Sequence, residues 1–288
     1  MTAGRPRPPA PRLIVEVRWG PLQGKKACCP PGQRIAVGRA PTSDLAVECD
    51  EEMADLQFEL QWDGRACTLA HRGGDTETLL GGEAAFAGDV THGQWLRAGT
   101  TDFSVYFEDE IPARSVRDAA ELARAERALA ALDRDPGPLF ALVDASRDDR
   151  VLELLRQSVQ VYRSLYDGVE GETMAEAAPY LVAVPAGSNL RTALLNEGWG
   201  RRWLTLLRSP KPLLELRRHL RKFLMAELEG DEDPVYFRFY DPEVLRVYMQ
   251  TCDAAERKPW FDGVVEAFYV EDPDHDLACL RVDPVPAR

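Results

Sequence analysis

The sequence predicts a multidomain chain: an N-terminal all-β sandwich joined by a helix to a C-terminal α/β (α+β) domain. Three observations carry that prediction. The 288 residues are enough for two ordinary domains, each with its own core. Residues 12–108 read as many short apolar-alternating runs broken by glycine turns, the pattern of a sandwich. After a proline-rich stop at Asp135-Pro136-Gly137-Pro138, strand and helix patterns alternate to the end of the chain.

Taken in order, residues 1–11 read as a disordered tail rich in Pro and Arg. In residues 12–108, strands are expected at 13–17, 34–37, 45–47, 56–62, 65–69, 94–97 and 103–107, with turns at Asp63-Gly64, Gly73-Gly74 and Gly81-Gly82. Residues 109–137 form a connector, helical over 115–133. Ser115 and Asp118 are its capping candidates, Arg117 and Glu121 an i,i+4 ion pair, and Leu122, Leu129 and Leu132 its apolar stripe. Residues 138–288 are the second domain. Strands are expected at 140–143, 179–184, 203–207, 235–240, 264–270 and 278–282, and helices at 148–161, 190–196, 212–228 and 243–251. In Phe237-Arg238-Phe239-Tyr240-Asp241-Pro242, alternation predicts a strand, Asp241 can cap the helix that follows, and Pro242 fits its first position.

Composition narrows the function. The charged fraction of 29% and hydrophobic fraction of 45% are those of a soluble globular protein. A net charge of −13 opposes general binding to nucleic acid or anionic membranes. No apolar run approaches the ~20 residues of a membrane helix, and the N-terminus lacks the apolar core of a signal peptide. The six cysteines (28, 29, 49, 67, 252 and 279) show no zinc-like pairing and read as reduced, mostly buried thiols of a cytoplasmic protein.

The motif Phe237–Pro242 does not stand alone. Leu139-Phe140-Ala141-Leu142-Val143-Asp144-Ala145, Leu165-Tyr166, Ala178-Pro179-Tyr180-Leu181-Val182 and Trp199-Gly200 precede it. In this order they resemble the type VI secretion effector-adaptor chaperones of the Tap/TEC type, over residues 138 to 283. The resemblance implies a bacterial cytoplasmic chaperone that binds a toxin effector and loads it onto the VgrG or PAAR spike, with no cofactor.

Ile35-Ala36-Val37-Gly38-Arg39, Asp44-Leu45-Ala46-Val47 and Gly93-Gln94-Trp95-Leu96-Arg97-Ala98-Gly99 with Phe103 resemble a second family, the forkhead-associated (FHA) domains, over residues 12–108. Those domains hold a phosphothreonine with an Arg and a Ser and orient the peptide with an Asn. Here Arg39 occupies the Arg position, but Ala54-Asp55-Leu56-Gln57 stands where Ser-x-x-His is expected, and Thr76-Glu77-Thr78 where Asn-Gly-Thr is. Asp55 and Glu77 would repel a dianion. The site therefore reads as degenerate, and Arg39 as one half of a strand-end ion pair. A phosphothreonine-dependent scaffold is the alternative function.

No catalytic signature survives inspection, so an enzyme is not expected. Gly20-Pro21-Leu22-Gln23-Gly24-Lys25 is one residue short of a phosphate loop, and Lys26 stands where Ser or Thr should bind magnesium. The cluster Asp272, Asp274, His275 and Asp276 reads as a solvated turn without a calcium-loop register, and His219, among Arg and Lys, as solvated or capping. Between Arg201 and Lys222, however, eight basic residues face one acid, Glu215. Arg217, Arg218, Arg221 and Lys222 fall on one helix arc opposite Leu213, Leu216, Leu220, Phe223 and Leu224. That arc is a candidate dock for an acidic partner surface; its alternative is a solvated face paired with Glu227, Glu229 or Asp231-Glu232-Asp233. Trp199, Trp203 and Trp260 are expected in the core, and Arg238 in a buried ion pair with Asp241 or Glu215.

Overall fold

The computed structural model describes residues 11–19, 22–108, 117–166, 174–226 and 235–282. The expected tail up to Ala10, the Ser115 cap and the acidic residues Glu227, Glu229 and Asp231-Glu232-Asp233 lie outside them. The chain divides into two compact units: Met1–Pro112 with Arg156–Val161, and Ala113–Leu155 with Tyr162–Arg288.

The first unit contains eleven described strands: β1 (Leu13–Trp19), β2 (Lys26–Cys29), β3 (Arg34–Gly38), β4 (Leu45–Ala46), β5 (Phe58–Trp62), β6 (Cys67–His71), β7 (Thr78–Leu80), β8 (Glu83–Ala84), β9 (Ala87–Val90), β10 (Trp95–Ala98) and β11 (Thr101–Phe107). They form one sheet of order β2-β1-β11-β10-β7-β8 and a second of order β4-β3-β5-β6-β9. Only the short β3–β4 pair is parallel. The expected sandwich is present, because alternate apolar residues of both sheets meet in one core. Phe58 of one sheet meets Phe103 of the other edge-on with ring centroids 5.6 Å apart, and Trp62 stacks on Phe107 at 4.5 Å. The sequence missed β2, β7, β8 and β9. These strands are short, and Glu83, Ala84 and Ala87 are exposed, so no apolar alternation marks them.

The second unit begins with α1 (Ala119–Arg134), capped by a reciprocal pair between Asp118 and Glu121; Arg117 and Glu121 make their ion pair at 3.3 Å. Its buried face is Ala125, Ala128 and Leu132, while Leu122 is exposed. Of the expected leucine stripe Leu132 is buried, and Ala125 and Ala128 take the rest of the face, which allows close helix packing. The rest comprises β12 (Leu139–Asp144), α2 (Asp149–Arg156), β13 (Tyr162–Ser164), β14 (Pro179–Ala183), α3 (Asn189–Gly198), β15 (Leu204–Arg208), α4 (Leu213–Leu220), β16 (Met225–Ala226), β17 (Val235–Tyr236), α5 (Pro242–Thr251), α6 (Ala254–Phe261), β18 (Ala267–Glu271) and β19 (Leu277–Leu280). Six strands form a sheet of order β13-β14-β12-β15-β18-β19, with every neighbour antiparallel. Between α/β and α+β the structure decides for α+β.

Three expected elements are corrected. The helix expected over 148–161 ends at Arg156. The long helix 212–228 ends at Leu220, tightens into a 3₁₀ turn over Arg221–Phe223, and gives its next residues to the β16–β17 ribbon. The aromatic strand 235–240 shrinks to Val235–Tyr236. Phe239 N donates to Phe237 O and Asp241 N to Arg238 O, so the backbone turns inward instead of pairing. Both phenylalanines reach Trp260, with centroids 6.1 and 5.2 Å away, and Phe223 stacks on the same indole at 3.9 Å. The alternation was real, but it serves an aromatic cluster rather than a sheet.

Candidate functional site

In the first unit, the loop after β3 carries Arg39 and its partners. Arg39 donates to one carboxylate oxygen of Asp55, through Nε at 3.3 Å and the guanidinium terminus at 3.0 Å. The hydroxyl of Ser43 is turned to the Asp55 carbonyl at 3.3 Å. Buried Gln57 ties the neighbouring loop together: its oxygen accepts from Ala54 N at 2.9 Å, and its amide donates to Glu77 O and Thr78 Oγ1, each at 3.0 Å. Gly38 is required because a Cβ there would lie 2.2 Å from the Asp55 carbonyl oxygen. Arg39 is thus held by a carboxylate that competes with any phosphate.

In the second unit, the residues around Phe237–Pro242 assemble a buried charge clamp. Asp241 caps α5 through the amides of Glu243 and Val244, at 3.0 and 3.4 Å. Its carboxylate also accepts from Arg147 and, at 3.1 and 2.7 Å, from Arg202. Asp144, at the end of β12, accepts from Ser146 N and Oγ and from Arg238 at 2.7 Å. Both aspartates are buried, at 0% and 1% exposure for Asp144 and Asp241. Burial alone would raise the Asp241 carboxyl, but the Arg202 hydrogen bond and the charges of Arg202 and Arg147 outweigh it and hold it below its usual range. The expected partner of Arg238 is corrected from Asp241 or Glu215 to Asp144; Glu215 pairs with Lys211 at 3.0 Å instead. The clamp locks β12, the turn at Arg202 and α5 into one rigid corner, and its carboxylates carry no free valence for a substrate.

The basic face splits in two. Arg217 turns inward and forks onto the carbonyls of Ser164 and Tyr166, at 2.6 and 3.0 Å. Arg218 and Lys222 are exposed. Together with Arg221 they rim a cavity of about 500 Å³, floored by Leu165 and Leu224 and walled by Tyr166, Met225 and Tyr236. Its walls are preformed. Tyr166 packs on Tyr236 with centroids 5.4 Å apart and meets the Tyr240 hydroxyl at 3.3 Å, while Leu224 O accepts from Phe237 N at 2.8 Å.

The family DUF4123, a domain of unknown function, matches residues 139–259. The second unit carries a DUF4123 domain. This is the Tap/TEC-type effector-adaptor family that the sequence motifs resemble. No curated protein matches the chain. Solved structures similar to it include FHA domains and the cytoplasmic domain of a secretion-system protein. The FHA domain of a hypothetical protein of Arabidopsis thaliana shares 21% identity over 41% of this chain and all of its own, with a TM-score of 0.33. That of the CT664 protein of Chlamydia trachomatis shares 16% over 33% of this chain and 96% of its own, at 0.31. The cytoplasmic domain of the T3SS sorting platform protein PscD of P. aeruginosa shares 19% over 37% of this chain and 94% of its own, also at 0.31.

In the second unit, Trp199, Trp203 and Trp260 are buried, as expected. His219 is corrected from solvated to buried, its Nε2 lying 2.8 Å from Trp260 O. The Asp272–Asp276 segment following the domain is the β18–β19 turn, where Asp272 accepts from the amides of Asp274 and Asp276. Among the described residues no group of three or more His, Cys, Asp or Glu could hold a metal, and no helix is long and apolar enough to cross a membrane. All six cysteines are free; Cys29, Cys67 and Cys252 are buried, and Cys28, Cys49 and Cys279 are exposed. Sequence reasoning found the rim of the cavity but missed Leu165, Tyr166, Met225 and Tyr236, which come from three separate segments. Only the break of the helix at Leu220 brings Met225 and Tyr236 together.

Proposed function

We propose that this chain is a non-catalytic cytoplasmic adaptor whose DUF4123 domain binds a type VI secretion effector and loads it onto a VgrG or PAAR spike, without a cofactor. The observation that carries this reading is the DUF4123 match over residues 139–259. Two features support it. The acidic and basic side chains of the clamp neutralise one another in a structural corner, and the cavity beside it has the mixed apolar and basic lining of a protein-recognition surface. The FHA-like unit acts as a second docking module that raises the local concentration of a partner, with Arg39 engaged by Asp55 rather than by phosphothreonine.

Co-expression of the tagged full-length chain with the proteins encoded beside it tests the reading. A stable complex with a toxin or spike protein is expected, and recovery of the chain alone overturns it. Titration with a phosphothreonine peptide separates the scaffold alternative: tight binding, abolished by Arg39→Ala, would replace the adaptor reading with a phosphorylation-dependent one.

A further inference from the structure

We infer that the cavity between α4 and the β16–β17 ribbon is a recognition groove for a short acidic polypeptide segment carrying one apolar anchor residue. The proposal rests on the adaptor reading only in taking the partner to be a protein.

The floor is apolar and closed, with Leu165 and Leu224 0% and 6% exposed, so a side chain seated there gains its burial from the walls. The walls are an aromatic pair and a methionine. Met225 and Tyr236 are 44% and 49% exposed and are paired across the ribbon, so their apolar surface is contiguous rather than scattered. A volume of about 500 Å³ suits one large side chain with its neighbours rather than a whole domain surface.

The rim supplies the second half of the specificity. Among the described residues, neither Arg218 nor Lys222 makes a hydrogen bond or ion pair, whereas Arg217, one position away, is spent on the carbonyls of Ser164 and Tyr166. The chain as a whole carries −13, so an extended polyanion meets long-range repulsion. A short segment feels chiefly the charges within a Debye length, about 8 Å at physiological salt. Two or three carboxylates flanking a Leu, Met, Phe or Trp would therefore pair with the rim while the anchor fills the floor.

A phage-displayed random dodecapeptide library panned on the full-length chain tests this, followed by fluorescence anisotropy of the enriched, fluorescein-labelled peptides. The expected peptides place Asp or Glu beside a large apolar residue. The double variant Arg218→Glu/Lys222→Glu should weaken them by about tenfold or more and abolish the salt dependence, with an unchanged circular dichroism spectrum. Tyr236→Ala should weaken them while leaving the salt dependence in place.

Three results overturn the proposal: enrichment without acidic residues, affinity indifferent to the charge reversal, or concentration-dependent self-association that the same reversal abolishes, which would make a second copy the occupant. Preferential binding of a single-stranded oligonucleotide at this rim would overturn it as well. The adaptor reading fails separately. If neighbouring proteins co-purify equally with wild type and the double variant, and no acidic peptide binds, the groove is wrong and the adaptor stands. If acidic peptides bind the groove but no neighbour co-purifies, the reverse holds.

Discussion

Asp241 shows how one side chain is committed twice, as a helix cap and as the anion between two guanidinium groups. Asn caps a helix about as well as Asp, so Asp241→Asn removes the charge while keeping the cap. Arg147 and Arg202 then lose their shared buried counter-ion but keep Asp144 and Glu243 as partners, so the loss is expected to cost about 2 kcal/mol. Arg202→Ala is expected to cost less than about 1 kcal/mol, because Arg202 is 41% exposed and Arg147 still satisfies the carboxylate. Urea unfolding of both variants checks the order; equal losses would mean that Asp241 acts only as a cap. The sequence named Asp241 correctly as a cap, but not as the clamp, since Arg147 and Arg202 lie 94 and 39 positions away and nothing local points to them.

At the scale of the element, α5 and the turn before it respond to acid through this same carboxyl. Its folded pKa lies below its ordinary value of 3.8, so its contribution to stability is complete above that value and lost as pH falls through the folded pKa. Glu271 of β18 runs the other way. Burial raises its carboxyl, against the opposing hydrogen bond from Gly200 N, so it costs stability above its folded pKa and the cost is relieved on acidification. Subtracting the Asp241→Asn profile from that of wild type removes the Glu271 effect, which both proteins share. The difference is expected to be flat near neutrality and to collapse below 3.8; a flat difference throughout would show that Asp241 is not depressed. Elements with strong local signals were legible in the sequence: the core strands β1, β5 and β12, and the Asp241-Pro242 helix start. The end of α4 was not. Arg221 to Leu228 continues a helical pattern, and it is the stacking of Phe223 on Trp260 and the pairing of Met225 with Tyr236 that override it.

For the whole molecule, two separate cores predict two separable responses to damage. Gly38→Ala would drive a Cβ into the Asp55 carbonyl, and because that atom is backbone the β3 loop must shift. Hydrogen exchange read by mass spectrometry is expected to report loss of protection within residues 11–108 for Gly38→Ala and within the DUF4123 domain for Asp241→Asn. Loss of protection across both units from either change would contradict independent cores. The N-terminal sandwich could be read from its alternating runs, and the pairing of Arg39 with a carboxylate from Asp55 beside it. The C-terminal sheet order could not, because β12 sits between β14 and β15, a pairing that no run of adjacent residues encodes.

The clamp and the groove also face different rules of inheritance. Asp144 and Asp241 are buried and each holds at least two partners, so a change at either carboxylate disturbs several contacts at once, whereas their arginines are partly exposed. Arg218, Lys222 and Met225 are exposed and free to change one at a time without disturbing the core. Descendants of one ancestor can thus keep the same recognisable signature while diverging in what they hold.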